Sequence, residues 1–269
     1  MDKLQSAGNC KKNIVIVGLY LPGIYPPGDD SVVSDLLAPA FLKATADANP
    51  EIVAQYEIKI LNFPTTTEPE KVAQQICDLN PVIVAYSVYL WNYFQMVESS
   101  VIVKRSKPET RIVLGGPQVT YNSVDILKEN SQVDVVICGS GESRFRSLIK
   151  SNFNLKNLSE IPLITYRDKN GIVKHTNGVI KEDLSHIPSP YQTKTINLND
   201  GKRHTVFIET FRGCPFECGY CIWGESNQAL NKFPMEQILK DIEIIYNNPN
   251  VSTVYLTDSC IFYTRERAK

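Results

Sequence analysis

The sequence predicts an α/β protein: a doubly wound N-terminal domain followed by the start of a second (β/α) unit. Three observations lead there. Short, nearly continuous apolar runs alternate with amphipathic stretches from Asn13 to about Lys150. Glycine-containing turns follow several of those runs. A β-branched run beginning near His204 then restarts the strand–helix alternation after a proline-broken segment.

The apolar runs are Ile14–Gly18, Tyr56–Leu61, Val82–Tyr86, Ile112–Leu114 and Val133–Cys138. A strand covered by helices on both faces has no solvent side, so it reads as a solid apolar run rather than an alternation. Helices are expected at Val32–Ala48, Pro69–Leu79, Asn92–Ser106, Ser123–Glu129 and Glu142–Ser151. Pro69 suits a first helical turn, where its missing N–H costs nothing, with Thr67 or Glu68 as the cap. Five strands alternating with helices make a flavodoxin-like or Rossmann-like sheet. Leu163–Arg167 and Ile172–Thr176, joined by Asp168-Lys169-Asn170-Gly171, read as a β-hairpin. The segment Ser185–Tyr191 reads as an extended linker. Beyond it come a strand at Thr205–Thr210, a cysteine loop, a helix at Pro234–Asn247, a strand at Thr253–Leu256 and a helix near Thr264. The expected division is therefore residues 1–152, a hairpin and linker at 153–203, and an incomplete barrel at 204–269. A complete (β/α)₈ barrel takes about 250 residues, so His204 to Lys269 amounts to roughly two of its units.

Composition narrows the function. The chain has 269 residues, 43% hydrophobic and 21% charged, which suffices for a sizeable core. A net charge of −1 gives no electrostatic reason to expect nucleic acid. No run approaches the roughly 20 apolar residues of a membrane span, and the polar Met1–Lys12 segment lacks the apolar core of a secretory signal, so a cytoplasmic location is expected. Four of the seven cysteines are scattered, an arrangement that argues for reduced thiols rather than a disulfide framework. Of these, Cys138 ends an apolar run and reads as a small buried hydrophobe; Cys10, Cys77 and Cys260 are given no role.

The other three cysteines carry the chemistry. Arg212-Gly213-Cys214-Pro215-Phe216-Glu217-Cys218-Gly219-Tyr220-Cys221 has the spacing C-x3-C-x2-C directly after a predicted strand. Three thiolates on one loop suit three irons of a cubane cluster, leaving the fourth iron open. The competing assignment is structural zinc, which asks for four ligands; the nearest histidine, His204, lies upstream at the start of the strand.

With Tyr220 beside its last cysteine, this loop resembles the radical S-adenosylmethionine (SAM) signature. The resemblance implies a 4Fe-4S cluster on Cys214, Cys218 and Cys221. SAM would chelate the open iron and be cleaved reductively to a 5′-deoxyadenosyl radical. It further implies Tyr220 near the adenine, a role that simple packing against the loop does not exclude. Thr257-Asp258-Ser259 occupies the place of the family's SAM-amino-binding motif; Asp258 either accepts from that amino group or caps a helix.

Upstream, Ala85–Asn92, Leu114-Gly115-Gly116-Pro117-Gln118 and Cys138-Gly139-Ser140-Gly141-Glu142 resemble the B12-binding domains that precede radical SAM barrels. That resemblance runs over nearly the whole chain. It implies Ser87, Gly115, Gly116 and Pro117 along the dimethylbenzimidazole tail, with Gly139, Gly141 and Glu142 alongside. Corrinoid mutases and methionine synthase carry a lower-ligand histidine after the first strand. Here that loop reads Leu19-Tyr20-Leu21-Pro22-Gly23-Ile24, and His175, His186 and His204 all lie outside the domain. Tyr89 and Trp91 are candidates to pack under the corrin, or simply within the core.

The expectation is a cobalamin-dependent radical SAM protein cut short early in its barrel. It would transfer a methyl group to an unactivated carbon of a small molecule or peptide, with flavodoxin or ferredoxin as electron donor. Two alternatives stand beside it: a non-catalytic corrinoid-binding remnant, and a radical SAM protein that has lost cobalamin.

Overall fold

The computed structural model describes residues 10–22, 32–178, 182–221 and 230–265. The strands are β1 (Lys12–Tyr20), β2 (Val32–Ser34), β3 (Tyr56–Pro64), β4 (Pro81–Ser87), β5 (Arg111–Gly115), β6 (Val135–Ile137), β7 (Ile164–Arg167), β8 (Val173–His175), β9 (Arg203–Ile208), β10 (Phe211–Arg212), β11 (Asn231–Lys232) and β12 (Val251–Leu256). The helices are α1 (Leu37–Asp47), α2 (Pro50–Gln55), α3 (Pro69–Asp78), α4 (Tyr93–Ser106), α5 (Pro117–Thr120), α6 (Ser123–Glu129), α7 (Glu142–Ser151), α8 (Leu155–Leu158) and α9 (Met235–Tyr246).

The first sheet runs β3-β1-β4-β5-β6-β7-β8. Its first five strands are parallel, and their order is the flavodoxin-like one expected. The alternating pleat explains the solid apolar runs: Val15, Val17 and Leu19 enter one core, Ile14 and Ile16 the other. Helices α3, α4, α5 and α6 fill the first core, through residues such as Ile76, Met96, Val119 and Leu127. Helices α1, α2, α7 and α8 fill the second, through Ala46, Ile52, Phe145 and Leu158.

Three expectations change. The helix predicted from Val32 starts only at Leu37, because Val32–Ser34 pairs in parallel with β9 as an edge strand of the second sheet, β12-β9-β2. Two adjacent β-branched residues fit that extended edge better than a first helical turn. The hairpin placed between the domains is a continuation of the first sheet, with β7 antiparallel to β6 and β8 to β7. The proline-broken linker is a packed strap. Leu184, Ile187 and Tyr191 are buried, the Tyr191 hydroxyl donates to the Phe207 carbonyl at 2.6 Å, and Ser189 donates to Asp241 at 2.6 Å. The predicted helix near Thr264 falls largely on residues 266–269, outside the described residues.

A buried histidine ties β9 to the chain just after its neighbour β2 within the second sheet. His204, buried in β9, holds Asp35 through Nδ1 at 2.6 Å and Asp200 through Nε2 at 2.8 Å. Burial raises the Asp35 pKa, opposed by its hydrogen bond to His204. Among the described residues no helix is long and apolar enough to cross a membrane.

Candidate functional site at the strand ends and the cysteine loop

Ligands of open α/β sheets sit outside the carboxyl ends of the strands, where the winding direction reverses. Here the reversal lies between β1 and β4, and the turns after β4, β5 and β6 stand side by side. Ser87 pairs with Gly115, and Gly115 with Ile137, two residues before Gly139.

These turns are held by their own backbone. Val88 N–H donates to the Gly115 carbonyl at 2.7 Å. Gly116 sits at φ +118°, and a Cβ there would lie 2.4 Å from the Val88 carbonyl oxygen, so a side chain is excluded on both counts. Pro117 then opens α5. The Thr120 hydroxyl donates to the Gly116 carbonyl at 2.9 Å and accepts from Gly139 N–H at 3.2 Å, which links the second turn to the third. Asn92 closes the first turn, accepting from Tyr89 N–H at 2.8 Å and donating to the Ser87 carbonyl at 3.1 Å.

The tip beyond Ser87 is apolar and open. Tyr89 and Trp91 stack with centroids 4.6 Å apart, and Leu90 and Phe94 are 75% and 82% exposed. Within the stack Tyr89 is the more buried ring, its pKa raised by burial, while Trp91 is half exposed. Among the described residues the buried Oδ1 of Asn62, beside Gly18 at this end of β3, has no hydrogen-bond partner. An apolar platform beside backbone turns suits a broad ligand that carries both apolar faces and polar edges, as a corrinoid does.

The second half of the site is the cysteine loop. Gly213, at φ +95°, turns the chain into it, and Cys221 N–H donates to the Cys218 carbonyl at 2.9 Å. Cys218 is exposed, Cys214 and Cys221 are half-buried, and Tyr220 is 93% exposed rather than packed on the loop. Among the described residues no three His, Cys, Asp or Glu side chains converge on a metal position. The donor set fits an iron–sulfur cluster in kind and spacing; drawing sulfurs together is work that metal–thiolate bonds do. Asp258 braces the loop's entry, accepting from Thr210 N–H at 2.7 Å, Phe211 N–H at 3.3 Å and the Thr210 hydroxyl. Ser259 adds a hydrogen bond to the Gly213 carbonyl.

Arg212 joins the two halves, a role the sequence reading missed. Its guanidinium donates to both carboxylate oxygens of Glu142, at 2.7 and 3.1 Å, and through Nε and Nη2 to Glu209, at 3.0 Å each. It also reaches the Ser140 hydroxyl at 3.3 Å and lies within 5.6 Å of the ring centroids of Phe41 and Phe233, which stack on each other. Glu142, expected beside the corrinoid, thus spends both oxygens on the cysteine side. Burial works against its charge, yet the Arg212 guanidinium outweighs that and holds the carboxyl below its usual range. Burial raises the Glu209 pKa despite the same guanidinium, and the two carboxylates in turn hold the Arg212 proton more tightly. The signal available in sequence was an Arg–Glu pair three apart, Glu209 and Arg212, abutting the loop; its third partner lies 70 residues upstream.

The chain is similar to known proteins in both sequence and fold. The B12 binding domain family matches residues 36–149. The chain is 28% identical over 221 residues to a 2-(S-pantetheinyl)-carbapenam-3-carboxylate methyltransferase of Streptantibioticus cattleyicolor, covering 77% of this chain and 31% of that protein. It is 27% identical over 215 residues to the cobalamin-dependent radical SAM methyltransferase TokK of Streptomyces tokunonensis, with the same coverage of 77% and 31%. The chain thus spans about a third of the length of these curated relatives. In fold it resembles the cobalamin-dependent SAM radical enzyme OxsB with aqua-cobalamin bound, at a TM-score of 0.68 and 16% identity, over 93% of this chain and 34% of that one.

Proposed function

We propose that this chain, which matches the B12 binding domain family over residues 36–149 and is similar to cobalamin-dependent radical SAM methyltransferases, binds cobalamin, SAM and a 4Fe-4S cluster and serves radical methyl transfer to an unactivated carbon. The observation that carries this reading is the Arg212–Glu142 pair, which holds the entry of the cysteine loop beside the strand-end turns suited to a corrinoid. When bound, these groups supply methyl carriage and one-electron cleavage of SAM, chemistry that no side chain provides.

The protein's own residues bind and orient. Gly115, Gly116 and Pro117, with Ser87, Gly139 and Gly141, give the corrinoid a backbone wall. Tyr89, Leu90 and Trp91 offer an apolar surface that excludes water from a ring face. Cys214, Cys218 and Cys221 are the thiolate ligands, Tyr220 is free to cover the adenine, and Asp258 fixes the strand end next to the loop. The relatives named as methyltransferases support methyl transfer as the reaction class. A small molecule or peptide is the substrate class, flavodoxin or ferredoxin the electron donor, and the cytoplasm the location.

The family match over residues 36–149, which lies wholly upstream of the cysteine loop, favours one second reading, a corrinoid-binding protein without a cluster. Iron and corrinoid analysis after anaerobic reconstitution separates the two. About four irons with one cobalamin supports the proposal. Cobalamin without iron supports the second reading, and iron without cobalamin removes the corrinoid from the function.

A further inference from the structure

The two loops that would carry the cofactors belong to different sheets, and each is braced locally. The turns after β5 and β6 are linked by Thr120, which bonds both the Gly116 carbonyl and Gly139 N–H. The cysteine loop's entry is held by Asp258 and Ser259. Local bracing does not determine how one loop stands relative to the other. Arg212 does connect them. It lies two residues before Cys214, and its partner Glu142 is the first residue of α7, immediately after the Gly139–Gly141 turn.

We propose that Arg212, gripped by Glu142 and Glu209, is a positioning residue that sets the separation and orientation of the corrinoid-bearing turn relative to the cysteine loop. This rests on the functional reading above. The geometry suits the task. A planar guanidinium that donates to two carboxylates through different edges cannot rotate without breaking a bond. Glu209, at the end of β9, keeps the fork oriented from its own side, so that Glu142 meets a preset donor pair. The Phe41–Phe233 stack lies against the same guanidinium and itself spans the junction, because Phe41 belongs to α1 and Phe233 follows β11. Lysine would keep the charge but lose both the fork and the flat contact with the rings.

The test uses the full chain in two states, with Arg212→Lys and Glu142→Gln as variants. Without cofactors, hydrogen exchange reads whether the turns are coupled. Glu142→Gln should speed exchange of the Arg212, Gly213 and Cys214 amides by about tenfold or more, and Arg212→Lys should do the same at Gly139 and Gly141. With cob(II)alamin and the reduced cluster loaded, pulsed electron paramagnetic resonance reads the distance between the two paramagnets. The wild type should give one narrow distribution, and both variants a broadened or displaced one at unchanged cofactor stoichiometry. A role confined to stability would lower the melting temperature and leave that distribution narrow, which would overturn the proposal. Unchanged exchange across the junction would overturn it as well. Failure of the wild type to bind both cofactors would sink the functional reading instead, and the exchange result alone would then decide whether Arg212 couples the turns.

Discussion

Replacing Arg212 with Met tests the junction without any cofactor. Methionine fills most of the volume with a flexible apolar chain, so the loss is chiefly electrostatic. The substitution strands two carboxylates: the Glu142 side chain is 6% exposed and that of Glu209 22%. Removing one partner of a buried pair costs about 3–5 kcal/mol, because the remaining charge stays desolvated. With a urea m-value of about 3 kcal/mol/M, at the upper end for small proteins, the unfolding midpoint should fall by roughly 1–1.7 M near neutral pH. The pH dependence has a definite sign. In the wild type the Glu142 carboxyl is depressed, so its contribution is fully present above the unfolded value near 4.5 and fades only as pH falls through the lower folded value. Without Arg212, burial dominates and pushes both carboxyls upward. The variant's deficit should therefore be full at neutral pH and shrink toward pH 5, as the stranded groups take up protons. Urea unfolding followed by circular dichroism at both pH values measures this. A loss below about 1 kcal/mol, the range of exposed ion pairs, with no narrowing at lower pH, would refute the buried-clasp reasoning.

Three further outcomes are expected. Gly116→Ala should cost about 1–3 kcal/mol, since φ +118° is a glycine region and the new Cβ meets the Val88 carbonyl, whereas Gly219→Ala, with open space around it, should stay within about 0.5 kcal/mol in the same melts. Cys218→Ala should abolish the visible absorbance of a reconstituted cluster, while Cys138→Ala, which removes a buried thiol whose pKa is raised by burial, should leave it; loss in both would point to misfolding. Cob(II)alamin bound to the protein should show no nitrogen superhyperfine splitting in its electron paramagnetic resonance spectrum. His204 is committed to Asp35 and Asp200, and His175 bonds Thr165 through Nδ1 at 2.8 Å, so a resolved splitting would mean that a histidine or the cofactor's own base reaches cobalt.

Much of this protein is written in short-range pattern. The parallel strands could be read from the chain because burial on both faces leaves solid apolar runs such as Ile14–Gly18, and the helices at Ser123–Glu129 and Glu142–Ser151 appear with the bounds expected. The turn glycines and the three-cysteine spacing are local too: φ and ligand count are properties of a few adjacent residues. What the tertiary structure decided lies in pairings across long separations. Val32–Ser34 looks helical beside α1 until β9, about 170 residues later, offers it an edge. Glu142 reads as part of a ligand turn until Arg212 arrives from 70 residues downstream to take both its oxygens. A hydrogen bond or ion pair depends on where two groups meet in space, and a linear pattern of residue types does not encode that meeting.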